Sequence, residues 1–184
     1  MEVETEAHPP LKGILEKCLD GDQQAFKMVY DAYSQAMFSI AMRMLNNREE
    51  AEELLQDAFV TAFRDLKKLQ DMKSFGAWLK KITVNRSLDR LRKRKITFET
   101  LEDLDVAESE KEPEADRPYT VENILHALQQ LDDAYRVVFT LHLFEDHSHR
   151  MISEKLGITE SNSKAILFRA KRKLIGILNQ TATS

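Results

Sequence analysis

Cysteine is almost absent: Cys18 stands alone among 184 residues. An intrachain disulfide is thereby excluded, and so is a zinc site built on paired cysteines. The lone thiol reads as a packing residue in a reducing compartment. Glycine and proline are scarce, at five and four, and long β-branched alternations are few. The chain lacks the punctuation of an all-β fold and is expected to be all-α. No apolar run approaches the roughly 20 residues of a membrane span. Residues 1–10 are acidic and have no apolar segment of the secretory kind; they read as a disordered lead-in. The expected location is the cytoplasm, with no membrane insertion. Glycine-rich phosphate loops, nucleophile elbows and metalloprotease helices are also missing, so no catalytic residue and no cofactor is expected. His142, His147 and His149 lie close in sequence. Their spacing across a helix end, without a nearby cysteine, matches no structural zinc pattern, so no metal is expected. His149 fits better at the start of a helix.

What is present is helical periodicity and segregated charge. Hydrophobic residues make up 42% of the chain, enough for real cores, and the formal net charge is −4. That average hides basic blocks at 80–95 and 164–173 with an acidic block between them. A chain arranged in this way can meet DNA with some faces and protein with others. Residues 11–19 suit a short helix, broken at Asp20-Gly21-Asp22. A longer one is expected over 23–45, with Phe26, Val29, Tyr30, Tyr33, Met37, Ile40, Ala41 and Met44 as its inner stripe. Asn47 followed by Glu50 is a helix-start signature. Behind it Ala51, Leu54, Leu55, Ala58, Phe59, Ala62 and Leu66 share one face. A second start at Ser74 leads into Phe75, Trp78, Leu79, Ile82, Leu88 and Leu91. The other face of that helix carries Lys80, Lys81, Arg86, Arg90, Arg92, Lys93, Arg94 and Lys95 against one acid, Asp89. So many cations along about 24 Å of helix call for a polyanion, and a nucleic-acid backbone is the obvious one.

Residues 97–119 change character. Nine acids face only Lys111 and Arg117, and Pro113 and Pro118 break any long helix. The stretch reads as a linker. Its charge either imitates nucleic acid inside a partner's basic channel or merely keeps a tether solvated. Helical pattern returns at Thr120 with Val121, Ile124, Leu125, Leu128 and Leu131. A next helix, capped by Asp132 or Asp133, carries Tyr135, Val138, Phe139 and Leu143. A third begins at Ser148 with Met151, Ile152 and Leu156 and stops at Gly157. The fourth runs from Thr159 to about Leu178, with Leu167, Ala170, Leu174 and Ile177 inward. A short helix, a glycine turn and a longer basic helix make a helix-turn-helix arrangement.

These features resemble a known family. The runs EELLQDAFVTAF and FGAWLKKITVNRSLDRLRKRK, with GDQQAF upstream of a tyrosine-bearing helix, are similar to region 2 of the extracytoplasmic-function sigma factors of bacterial RNA polymerase. SHRMISEKLGITESNSKAILFRAKRKL resembles their region 4. The resemblance implies two helical domains, 11–96 and 120–180, joined by the linker. It implies a transcription initiation factor without catalytic chemistry of its own, whose partners are core polymerase (clamp helices and flap) and promoter DNA. An inhibitory anti-sigma protein is a further candidate partner. By position, Asn162, Lys164, Ala165, Phe168, Arg169, Lys171 and Arg172 would serve the −35 element, the last two through the DNA backbone. Leu69, Gln70, Asp71 and Lys73 of the specificity loop, with Asn85, Arg86, Arg90, Arg92 and Arg94, would serve the −10 element and promoter melting. Glu49, Glu52, Glu53, Gln56 and Asp57 align with the polymerase-docking surface.

Departures from the family pattern are visible. Leu69 stands where an aromatic is common, which weakens stacking on an extruded base. Ser153 replaces a small alanine, Ser161-Asn162 a Gly-Thr pair, Ile166 an arginine and Ser163 an apolar residue. The bases read at the upstream element therefore do not carry over. Asn85 suits either a base edge or its own helix, and Trp78 a core anchor rather than a stacking platform. Two other classes stay open: a free-standing helix-turn-helix regulator using the last four helices, and an all-helical enzyme with an unrecognised site.

Overall fold

The computed structural model describes residues 11–94, 96, 98 and 119–181. The expected lead-in, Lys95 and nearly all of the acidic linker lie outside the described residues. Among those described, every regular element is helical: α1 (Leu11–Leu19), α2 (Gln23–Leu45), α3 (Arg48–Asp65), α4 (Phe75–Lys93), α5 (Val121–Gln129), α6 (Asp133–Phe139), α7 (His149–Leu156) and α8 (Glu160–Thr181). Short 3-10 turns at Leu66–Lys68 and Met72–Ser74 connect α3 to α4, and a π-turn at Thr140–Phe144 extends α6. Two compact units emerge, one of residues 1–41 and 47–86, the other of 42–46 and 87–184. The cut falls inside α2 and α4, whereas sequence pattern alone suggested a boundary near residue 96.

In the first unit the helix start anticipated at Asn47 is capped, and the break before α2 supplies a second cap that the sequence reading did not assign. The Asn47 side chain accepts from the Glu50 amide at 3.1 Å, and Asp22 accepts from the Gln24 and Ala25 amides at 2.8 and 3.1 Å. The anticipated inner face of α3 is buried from Ala51 to Ala62, as are Leu15, Val29, Met37, Ile40, Phe75 and Leu79. Aromatic edges lock α2 to α3 and α4, with Phe26 on Phe63 at 4.6 Å and Tyr33 on Phe75 at 5.4 Å. Gly76 is required by that second contact, because a Cβ there would meet the Tyr33 ring at 3.0 Å. Phe75 is fully buried and serves as the anchor, while Trp78 is half-buried beside it. Tyr30, expected in the inner stripe, is 37% exposed. Cys18 is buried; the surrounding low-dielectric core, and then Asp22, push its thiol up to about 11, so it stays protonated and inert.

In the second unit α8 is the common partner of α5, α6 and α7. Thr120 and Asn123 form a capping box at the start of α5, which lifts Val121 out to 69% exposure instead of into the stripe. Leu143 (47% exposed) and Met151 (43% exposed) also depart from the expected inner faces. The π-turn shifts the register after Phe139, so positions counted at 3.6 residues per turn no longer point inward. Asp132 begins α6 without a side-chain cap and instead holds Lys173 of α8 at 2.7 Å. Arg136 is 2% exposed and donates to the Leu131 carbonyl at 2.7 Å and to Asp133, bracing the corner between α5 and α6.

Gly157 ends α7 in a left-handed conformation, φ 70°, and the Ser153 carbonyl accepts from both Gly157 and Ile158. Open space surrounds its Cα, so the demand is on the backbone and not on volume. Gly157→Ala is expected to lower stability by about 1 kcal/mol. Gly176→Ala, in an exposed helical turn with nothing nearby, should raise it by a similar amount. Thermal melts of the two variants check both signs.

Candidate nucleic-acid interface

Helix α8 is amphipathic by burial. Asn162, Ser163, Ala165, Ile166, Leu167, Ala170, Leu174 and Leu178 are buried, while Ser161, Lys164 and Arg172 are exposed and Phe168, Arg169 and Lys171 half-buried. Ser161, Lys164, Phe168 and Arg172 follow the i, i+3, i+7, i+11 spacing of a single face. Two residues anticipated on that face are elsewhere. Asn162 is 5% exposed and Ala165 7%, because the helix turns them toward the core side of its own domain. Ser161, passed over in favour of its neighbour, stands at the surface. Ile166, at 2% exposure, fills the core where an arginine would not fit. The Arg172 guanidinium lies over the Phe168 ring at 5.8 Å, so these two outward residues are preorganised together.

The starts of α8 and α7 are both capped by hydroxyl side chains. Thr159 Oγ1 accepts from the Asn162 amide at 3.0 Å, capping the first turn. Ser148 caps α7 in the same way, accepting from the Met151 amide. His149 follows directly and makes two contacts. Its ring stacks on His142 at 4.5 Å with planes 17° apart, and its Nδ1 lies 2.9 Å from the Ser163 hydroxyl. Burial, then the neighbouring His142, Lys164 and Lys171, hold His149 below the usual imidazole value, with Glu160 opposing. Ser163 is fully buried, which resolves the oddity of a hydroxyl on the inner face.

On the first unit, the loop after α3 presents Gln70, Asp71 and Lys73 to solvent, with Leu69 half-buried. The Asp71 carboxylate accepts from the Lys73 amide at 2.9 Å, and Ser74 donates to the Asp71 carbonyl at 2.7 Å. A tight capped turn thus displays the loop, with the Asp71 carboxylate already engaged. On α4, Asn85, Arg86 and Arg90 are half-buried, while Arg92 and Arg94 are exposed. Arg86 is committed to α3: it pairs with Asp57 at 3.7 Å and donates to Thr61. Arg92 is partnered by Asp89 at 2.6 Å.

The acidic stripe of α3 is displayed as anticipated, with Glu49, Glu52, Glu53, Gln56 and Asp57 all exposed. Val60 continues the same stripe at 65% exposure. An apolar residue within a charged surface carries no periodic signal, which is why pattern reading missed it. Beside the stripe, a groove of about 390 Å³ between α2 and α3 is lined by Tyr30, Phe38, Leu55, Arg48, Glu52 and Gln56. Its floor is apolar and its rim charged, with Arg48 joined to Glu52 at 2.8 Å.

Family models match both halves of the chain. Residues 29–96 match Sigma-70 region 2 and residues 121–174 match Sigma-70, region 4, together about two thirds of the chain. The chain is 28% identical over 176 residues to the ECF RNA polymerase sigma factor SigW of Bacillus subtilis, covering 89% of this chain and 94% of the relative. It is 25% identical over 154 residues to SigM of the same organism, covering 83% and 94%. In fold it is similar to the sigma factor RpoE of Bartonella quintana, solved in complex with the anti-sigma factor NepR, with TM-score 0.51 and 20% identity over 84% of this chain and 96% of that one. No helix among the described residues is long and apolar enough to cross a membrane. With two ordered regional matches and full-length relatives of one kind, the chain belongs to the sigma-70 family of RNA polymerase sigma factors, in its ECF group.

Proposed function

We propose that the chain binds core RNA polymerase and directs it to promoters by gripping DNA through two separate surfaces, one on each of the domains 11–96 and 120–180. The observation that carries this reading is the outward face of α8, with Ser161, Lys164, Phe168 and Arg172 aligned behind a left-handed glycine turn. A helix displayed in this way enters the major groove with its first turns nearest the base edges. Ser161 and Lys164 then meet the −35 element, Arg169, Lys171 and Arg172 meet phosphates, and Asn162 and Ala165 support the helix from within. The loop around Gln70 and Lys73, with Asn85, Arg90, Arg92 and Arg94 of α4, serves the −10 element and its opening. Arg86 contributes mainly by bracing α4 on α3.

The α3 stripe, extended by Val60 and the neighbouring groove, is the surface for the polymerase clamp helices; the C-terminal domain meets the flap. Tethering through 97–119 makes the second DNA contact effectively intramolecular, which favours joint recognition over either contact alone. An inhibitory anti-sigma protein is a candidate for the same surfaces.

Run-off transcription with core enzyme over a promoter library tests the whole reading. Specific initiation only when the chain is added is the expected result. Initiation no better than core enzyme alone, with tight binding of duplex by the free chain, would return the free-standing regulator instead. Arg172→Ala should weaken promoter binding across sequences and reduce the slope of log affinity against log salt by about 1. Val60→Asp should lower affinity for core polymerase about tenfold while leaving the melting curve unchanged, as read by titration of labelled protein and by circular dichroism.

A further inference from the structure

Ser163 sits fully buried on the inner face of α8, one turn before the buried Ile166 and Leu167. A hydroxyl in such a place is costly unless it is hydrogen-bonded. Its partner is Nδ1 of His149, at 2.9 Å, on the first turn of α7. The imidazole is itself held on two sides. Its own helix start is fixed by the Ser148 cap, and its face lies on His142. His142 is tied in turn to the His147 carbonyl at 2.9 Å, and since a carbonyl only accepts, Nδ1 of His142 carries its proton. A continuous relay therefore runs from the π-turn through two stacked rings to the buried hydroxyl of the DNA-facing helix.

We propose that His149 is a positioning residue for α8: through Ser163 it sets how the recognition helix seats on α7, and protonation of His149 loosens that seat. This rests on the reading of α8 as the helix that meets the upstream promoter element.

Every direction from which the ring is approached disfavours a second charge there, save one. His142 of the π-turn and Lys164 and Lys171 of α8 oppose a cation, and only Glu160 favours it. The positive end of α7 adds to the opposition. Neutral His149 is therefore the form that fits the folded domain. A histidine held low in the folded state contributes stability that is intact above its ordinary value of 6.5 and is lost as pH falls below it. The same sign applies to promoter affinity, because only the seated helix presents Lys164 and Ser161 correctly.

The test uses the full chain, free and in holoenzyme, with a promoter taken from library selection. His149→Ala, Ser163→Ala and the double variant are compared with His149→Asn, whose amide returns a hydrogen-bonding atom near the place of Nδ1. Lys164→Ala serves as the direct-contact control. Each single alanine variant is expected to weaken holoenzyme binding by about tenfold, and the double variant by no more than either, because both delete one contact. The wild type is expected to weaken severalfold on going to about pH 5.5, and His149→Asn should recover most of the loss at about pH 7.5 and remove that weakening. Additive losses, or an asparagine variant as impaired as alanine, or an unaltered pH profile in that variant, would overturn the proposal. Thermal melts of the free chain repeat the same cycle without DNA. Coupling in the melts with no effect of Lys164→Ala on promoter affinity would instead reject the recognition-helix reading and confine His149 to stability.

Discussion

Burial of one side of α8 is the constraint on which the rest of the C-terminal half depends. Three helices lean on it, and eight of its residues from Asn162 to Leu178 lie out of solvent. Each fully buried aliphatic side chain is worth about 1.5–3 kcal/mol relative to exposure. Against that sum, rotating the helix by one position either way would carry the Lys164 cation into the buried place of Ser163 or Ala165. The face shown to solvent is thus chosen by what the core takes in. A surface made this way is rigid at no further cost, because the same contacts that hold the domain together aim its cations.

The N-terminal half follows the same logic with a different partner chemistry. Phe75, Leu79 and the α3 stripe from Ala51 to Ala62 fill the interior, which leaves carboxylates on one helix and guanidinium groups on another. Some of these charges serve inside the domain. Arg86 spends its side chain on Asp57 and Thr61, and Asp71 spends its carboxylate on capping a loop. Exposed ion pairs contribute little to stability, typically below 1 kcal/mol. Their effect is to orient α4 and the loop, which holds neighbouring groups such as Gln70, Lys73 and Arg90 in a defined geometry.

Much of this was legible without coordinates. Helices α1 and α2 begin and end where composition and breakers indicated, because Gly21 and the Asp22 cap are local signals. Gly157 and Thr159 announced the helix-turn-helix for the same reason. The family resemblance carried the functional assignment, since an ordered series of features spans both halves. Placement failed where a residue's direction depends on something other than a straight 3.6-residue count. The π-turn put Leu143 outside, the capping box put Val121 outside, and side-chain type misled for Asn162, a polar residue taken as exposed that packs inward.

Amino-acid order alone settled the helical class, the Asn47 helix start, the charge segregation and the family, because each is written in neighbours within a few positions of one another. The tertiary structure alone decided which of Ser161 and Asn162 faces outward, that Val60 joins the acidic stripe, and that Ser163 belongs to His149. The last joins positions 14 residues apart on different helices, and the first two follow from which side of α8 and of α3 the core takes in.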